Sequence, residues 1–224
     1  PEARVSRMDR DTMAHRGAAD EVLTRFGRGE IDILVGTQMV AKGHDFPNVT
    51  LVGVVSADVG LGVADFRAGE RTFQLLTQVA GRAGRGSRPG ETIVQTINPN
   101  HYSIRHACLQ NYEAFYREEI EFRQAMRYPP TLGLINLIVR GRSEAAAMGD
   151  GFKLVKELQR LGRTEWILGP APAPLSRLKG QHRVQVLAKG DHRIRLGEIV
   201  EAALKQLPRI RRRISVDVDP VFVS

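Results

Sequence analysis

The stretch that decides the fold is Ile31-Asp32-Ile33-Leu34-Val35 followed by Gly36-Thr37-Gln38-Met39-Val40-Ala41-Lys42-Gly43-His44-Asp45-Phe46-Pro47-Asn48-Val49. A short apolar run reads as a buried strand, and the polar, glycine-bearing stretch after it falls at the carboxyl end of that strand. Open α/β sheets bind ligands at that edge. A hydroxyl (Thr37), an amide (Gln38), a cation (Lys42) and a carboxylate (Asp45) therefore crowd one rim, the alternative being a polar surface loop.

Outward from this point, strand-like and helix-like patterns alternate. Arg4 to Met8, Leu51 to Val55 and Thr92 to Ile97 read as strands, while Ala18 to Phe26 and Glu70 to Ala83 carry apolar residues at helical spacing. That alternation predicts an α/β layer with a mainly parallel sheet. From His101 to Met126 the pattern is helical throughout, and Tyr128-Pro129-Pro130 ends it because proline cannot continue a helix.

Beyond the prolines come a strand (Leu134 to Val139), a helix (Ser143 to Leu161), a strand near Trp166 to Leu168, the run Gly169-Pro170-Ala171-Pro172-Ala173-Pro174, a strand (Val184 to Ala188), a helix (Arg193 to Leu207) and a strand (Ile214 to Val218). The order βαββαβ suits a small sandwich with helices on one face of its sheet. The expected domains are 1–100, a helical connector at 101–128, and 129–224.

Charge divides at the same place. Residues 1–128 carry 16 Lys and Arg against 16 Asp and Glu, whereas residues 129–224 carry 17 against 9. The second part holds all the excess of +8, a field that attracts polyanions such as nucleic acid unless it is a solvated basic face. Arg177, Lys179, His182 and Arg183 are expected on a Gly- and Pro-rich loop, and Arg209, Arg211, Arg212 and Arg213 form a run.

The single cysteine, Cys108, excludes a disulfide framework and reads as a buried structural thiol. No run approaches the ~20 apolar residues of a membrane span, so a cytoplasmic location is expected, without membrane partners. No metal site is expected: His44 has no second His or Cys at ligand spacing. Asn48-Val49-Thr50 is set aside as a glycosylation acceptor, Asp20-Glu21 reads as surface, and Trp166 as core rather than a base-stacking platform.

A second chemical stretch is Gln78-Val79-Ala80-Gly81-Arg82-Ala83-Gly84-Arg85-Gly86. On a helix Gln78, Arg82 and Arg85 share one face, with Leu75, Leu76, Val79 and Ala83 turned to the sheet. Paired guanidiniums suit a phosphate gaining charge in a transition state; helix-terminal arginines are also ordinary structural cations.

Together the two stretches resemble the fifth and sixth motifs of superfamily 2 helicases. The wording GTQMVAKGHDFPNVTLV with ADFRAGERTFQLLTQVAGRAGRG is similar to that of the primosomal replication-restart helicases. Helicases of the RecG-like, fork-remodelling type share the arginine motif but not KGHDFPNV. The resemblance continues to Val216-Asp217-Val218-Asp219-Pro220, covering nearly the whole chain.

It implies a RecA-like second motor lobe, incomplete at its start, then a connector and a basic DNA- and partner-binding domain. It implies an ATP-dependent helicase moving 3′ to 5′ on forked DNA to restart stalled forks in bacteria. Gln78, Arg82 and Arg85 would address the ATP phosphates, the arginines as fingers; Thr37 would donate to a DNA phosphate with Gln38 and Lys42 nearby; Gly43 would let the backbone approach, and Asp45 would reach the nucleotide ribose or hold one of those arginines. Asp58 would help orient these groups. Arg177, Lys179 and Arg183 would contact DNA, and Arg193 the acidic tail of the single-strand DNA-binding protein. Other implied partners are PriB and DnaT; a monomer is expected.

The sequence holds no Gly-Lys dipeptide and so no phosphate-binding loop, and the chain reads as a fragment that cannot hydrolyse ATP alone. In the family Mg2+ accompanies ATP, and zinc sits in a cysteine-rich insert absent here. The competing reading is a DNA-binding or scaffold module in which the arginines are structural.

Overall fold

The structure is a computed structural model that describes residues 2–9, 17–37, 46–84, 86, 88–162 and 166–223. The chain forms two compact units, Pro1–Gly62 with Gly69–Tyr116, and Val63–Ala68 with Arg117–Ser224.

In the first unit β1 (Val5–Met8) pairs in parallel with β2 (Ile33–Gly36), with α1 (Ala18–Gly27) between them in sequence. A fork fixes the start of this pair: Arg4 meets Asp32 through Nε at 2.9 Å and a terminal nitrogen at 2.7 Å. The same guanidinium, with the Arg4 backbone N–H, lowers the Asp32 carboxyl to about 2. Next, β3 (Leu51–Val54) pairs in parallel with β4 (Glu91–Val94), and between them run a 3₁₀ turn (Ala57–Gly60) and α2 (Ala68–Ala80). Among the described residues these are two separate two-stranded parallel sheets rather than one sheet.

The expected continuous helix over 101–126 is two: α3 (Tyr102–Cys108) and α4 (Tyr112–Ala125). Gln110, at φ 50°, breaks the run, and the Asn111 side chain accepts from the Ala114 N–H at 3.0 Å to start the next helix. Phe73 of α2 stacks on Phe115 of α4 at 4.0 Å, and Leu76, Ile104 and Ala107 complete a core with Val54 and Val94. Cys108 is an exposed free thiol, not a buried one, because it lies on the last, outward-facing position of α3.

The second unit has the expected βαββαβ order: β5 (Gly133–Gly141), α5 (Glu144–Leu161), β6 (Ile167–Leu178), β7 (Gln181–Gly190), α6 (Arg193–Gln206), a short α7 (Pro208–Arg211) and β8 (Ile214–Val218). The sheet order is β6-β7-β5-β8, all antiparallel. Ile135, Leu137 and Val139 of β5 face Leu154, Leu158, Val200 and Leu204 of α5 and α6. Ser143 caps α5 by accepting the Ala146 N–H at 3.2 Å.

The run Gly169 to Pro174, which the sequence reading sets apart from the strand near Trp166 to Leu168, is part of the long strand β6. It tolerates three prolines because β6 is an edge strand, where a missing N–H costs no ladder bond on the open side, and because its register shifts between Leu168 and Ala171.

Every residue of β5 from Gly133 to Val139 is buried, so the second sheet face is covered too. The cover is Leu134 packing with Phe66, Tyr128 and Val223. Phe66 stacks on Tyr128 at 4.8 Å with rings 6° from parallel. The guanidiniums of Arg67 and Arg123 lie 5.1 and 5.2 Å from the Phe66 centroid, and Lys189 Nζ lies 3.5 Å from that of Tyr128. Asp65 brackets this layer, its carboxylate accepting the Arg67 N–H at 3.0 Å and the Val223 N–H at 3.1 Å. Burial pushes the Tyr128 phenol up, with Asp65 adding to the shift. Burial likewise lowers the Lys189 ammonium, whose Nζ donates to the Met126 carbonyl at 3.2 Å.

Candidate functional site

Within the first unit, Thr37 lies exposed directly after β2, at the carboxyl end of that strand. Gln38, Lys42, Gly43, Asp45 and Arg85 lie outside the described residues. The motif resumes at Phe46, whose ring meets Phe26 of α1 edge-on at 5.0 Å; the Val49 N–H closes a turn on the Phe46 carbonyl at 3.2 Å.

Helix α2 ends at Ala80, ahead of Arg82. The Gly81 N–H keeps the helical bond to the Thr77 carbonyl (3.1 Å), and the chain then tightens, the Arg82 N–H reaching the Val79 carbonyl (3.0 Å). The single helical face expected for Gln78 and Arg82 thus passes into a narrower turn. Gln78 is exposed; Arg82 is half-buried, and its Nε atom is buried. Leu76 is buried and Leu75, Val79 and Ala83 partly so.

The two motif stretches meet through backbone. The Gly84 N–H donates to the Val49 carbonyl at 3.1 Å, and the Glu91 N–H to the Thr50 carbonyl at 2.8 Å, which carries the β3–β4 pairing back past the strand ends. Asp58, in the 3₁₀ turn after β3, fixes the other end of the pair. Its carboxylate accepts from Thr96 Oγ1 at 2.8 Å, the Ile97 N–H at 2.9 Å and Asn98 Nδ2 at 2.9 Å, and these bonds, Ile97 foremost, lower its pKa.

In the second unit Arg177, Lys179, His182 and Arg183 belong to a β-hairpin, not a loop. Leu178 pairs with Gln181 and Arg177 with His182 around the two-residue turn Lys179-Gly180, both at positive φ (49° and 77°). Arg177 and Lys179 are exposed; Arg183 is half-buried and gives one N–H to the Leu175 carbonyl at 3.3 Å. In the basic run, Arg211 pairs with Glu201 (3.0 Å) and Arg213 with Asp150 (2.9 Å), leaving Arg209 and Arg212 as its exposed members without a described ion pair.

Arg193 opens α6 and lines a hollow of about 390 Å³ with Pro130, Thr131, Leu132, Asp191, His192 and Ile194. It pairs with Asp219 at 3.4 Å. The backbone of Gly133 passes so close that an added Cβ would stand 2.9 Å from Arg193 Cγ. A cation beside apolar side chains can take a carboxylate attached to an apolar group.

Sequence reasoning missed the covering role of Asp65, Phe66 and Arg67. Their signal was an aromatic and two charges in a run without periodicity. Among the described residues no cluster of His, Cys, Asp or Glu could hold a metal ion, and no helix is long and apolar enough to cross a membrane.

The comparisons with known proteins follow the same division. Residues 2–87 match the helicase conserved C-terminal domain, and residues 124–221 match the primosomal protein N C-terminal domain. The replication restart protein PriA of Bacillus subtilis is 44% identical over 228 residues, an alignment taking in 100% of this chain and 28% of that protein. PriA of Synechocystis is 42% identical over 226 residues (100% and 27%), and PriA of Treponema pallidum 37% over 230 (100% and 34%). The chain spans between about a quarter and a third of the length of these relatives. With an α/β helicase C-terminal lobe followed by a primosomal C-terminal domain, and with identity running through both, the chain belongs to the PriA replication restart family.

Proposed function

We propose that this chain supplies the second-lobe half of an ATP-driven 3′ to 5′ DNA helicase that restarts stalled replication forks in the bacterial cytoplasm. The observation that carries the reading is the joining of the two motif stretches, Gly84 to Val49, next to the half-buried Arg82. A cation whose Nε is withdrawn from water is suited to stabilise phosphate charge, since the surrounding medium screens it less.

ATP, bound with Mg2+ on a phosphate loop that this sequence lacks, supplies the energy of phosphoryl transfer. Of this chain's own residues, Arg82 and Arg85 take the charge growing on the transferred phosphoryl, and Gln78 addresses the phosphates beside them. Gly43 and Asp45 approach the nucleotide. Thr37, Gln38 and Lys42 hold DNA phosphates, so one stretch addresses both ligands. The hairpin cations Arg177, Lys179 and Arg183 contact forked or single-stranded DNA. Arg193 receives the acidic tail of the single-strand DNA-binding protein, and PriB and DnaT join where present. The chain by itself is inactive.

The test is reconstitution: the 224-residue chain mixed with the first motor lobe of a relative, with DNA-stimulated ATP hydrolysis as the readout. Arg82→Ala with Arg85→Ala is expected to lower the rate by at least about a thousandfold, the scale of an arginine finger. Activity that survives the double change refutes the finger assignment. A DNA-binding module without a motor role is the second reading, favoured by the basic hairpin alone; it predicts DNA binding with no ATPase under any pairing.

A further inference from the structure

Three glycines after the arginine turn sit where no side chain fits, and what they touch is backbone. An added Cβ on Gly90 would overlap the Gly84 nitrogen and the Ala83 carbonyl carbon, and one on Gly86 would overlap the Pro47 carbonyl oxygen. One on Gly84, itself at φ +75°, would stand 2.8 Å from the Gly90 nitrogen. Flexible side chains could yield to such additions; peptide groups cannot do so without moving the chain that carries them.

The three thus fix two approaches. Gly84 and Gly90 bring the two ends of the 84–90 loop back to back, in front of β4. Gly86 brings that loop onto the turn Pro47-Asn48, and the Gly84 N–H to Val49 bond locks the contact. The 46–49 turn is the direct continuation of the stretch that begins at Thr37. The 84–90 loop is the direct continuation of the turn holding Arg82.

We propose that Gly84, Gly86 and Gly90 form a backbone clasp that makes the arginine turn and the Phe46–Val49 turn move as one body, and that they are positioning residues for Arg82. The proposal rests on the reading of this lobe as half of an ATPase. The clasp acts through where Arg82 is held. Loosening it therefore lowers turnover while leaving ground-state nucleotide binding in place.

The experiment places this chain within the full-length Bacillus subtilis relative, in exchange for its matching stretch, and measures DNA-stimulated ATPase. The Arg82→Ala, Arg85→Ala pair in the same protein judges the ATPase reading separately. Gly90→Ala is expected to lower kcat by at least about tenfold with KM for ATP within about twofold. Combined with Arg82→Ala it should add little further loss, as expected for residues acting through one another. Gly149→Ala, on α5 with no atom within 4 Å of the added Cβ, should leave kcat unchanged.

Gly86→Ala, whose overlap is confined to Pro47, is the second variant should Gly90→Ala fail to fold as judged by circular dichroism. A folded variant with normal kcat, or losses that simply multiply with those of Arg82→Ala, overturns the proposal. So does loss of fold in both variants, because the glycines would then serve folding rather than positioning.

Discussion

At the scale of single residues, the second unit turns on Phe66 and on Arg193. Phe66 is buried between the Tyr128 ring and the packing of Leu134 and Val223. Phe66→Ala leaves a cavity and strips two cation–π partners, a loss of about 3–5 kcal/mol. Trp166, the only tryptophan, lies in this unit, so its fluorescence in a urea titration reads that loss directly. An unchanged midpoint would remove Phe66 from the core. Arg193 already holds Asp219, which an acidic peptide must displace. Asp219→Asn keeps a side chain suited to φ 49° while removing the competing charge. It should tighten binding of an acidic, apolar-ended peptide on the order of threefold, the worth of an exposed ion pair. Calorimetry showing equal or weaker binding would rule the hollow out as that peptide's seat.

At the scale of elements, the β6–β7 hairpin gathers the basic residues of its turn region on one structure. The Lys179-Gly180 turn holds Arg177 and His182 opposite each other. Arg177→Ala and Lys179→Ala are each expected to weaken single-stranded DNA binding without regard to sequence. Each should reduce the slope of log affinity against log salt by about 0.7, one phosphate contact's worth. Anisotropy across a salt series measures it, and an unaltered slope would place the DNA elsewhere.

Elements are also where the sequence was most readable. The 3.6-residue period of α5 with Ser143 before it, and the apolar runs of β3 and β5, carry their own structure, because their side chains decide it locally. The prolines of β6 misled because an edge position, a property of sheet order and not of composition, removes their cost. The helical run over 101–126 concealed a break that Asn111, a capping residue, does announce. For the site, residue types in Gln78 to Gly86 were legible, but the meeting of Gly84 with Val49 is a backbone contact across 35 residues.

At the scale of the whole molecule, composition divided the chain near residue 129, whereas its contacts divide it at Tyr116 and borrow Val63–Ala68 for the second unit. A piece comprising 129–224 lacks Phe66, Arg67, Arg123 and Tyr128, and so leaves one face of β5 bare. We expect it to bind a hydrophobic dye and to melt below the same unit within the full chain, with Trp166 fluorescence as the monitor. Equal melting would show the 63–68 segment to be dispensable.

The bracket around Asp65 sets an order on biosynthesis. Its carboxylate waits for the N–H of Val223, a partner made 158 residues later, and Arg67 waits likewise for the carbonyl of Val221. The local Arg67 N–H engages one oxygen of the Asp65 carboxylate, but the bonds to Val223 and Val221 span the chain, and contacts of such sequence separation close slowly. A ribosome that has already produced every strand of the sheet still carries an unfinished unit, and a nascent chain halted before Val221 keeps an aromatic surface open to chaperones.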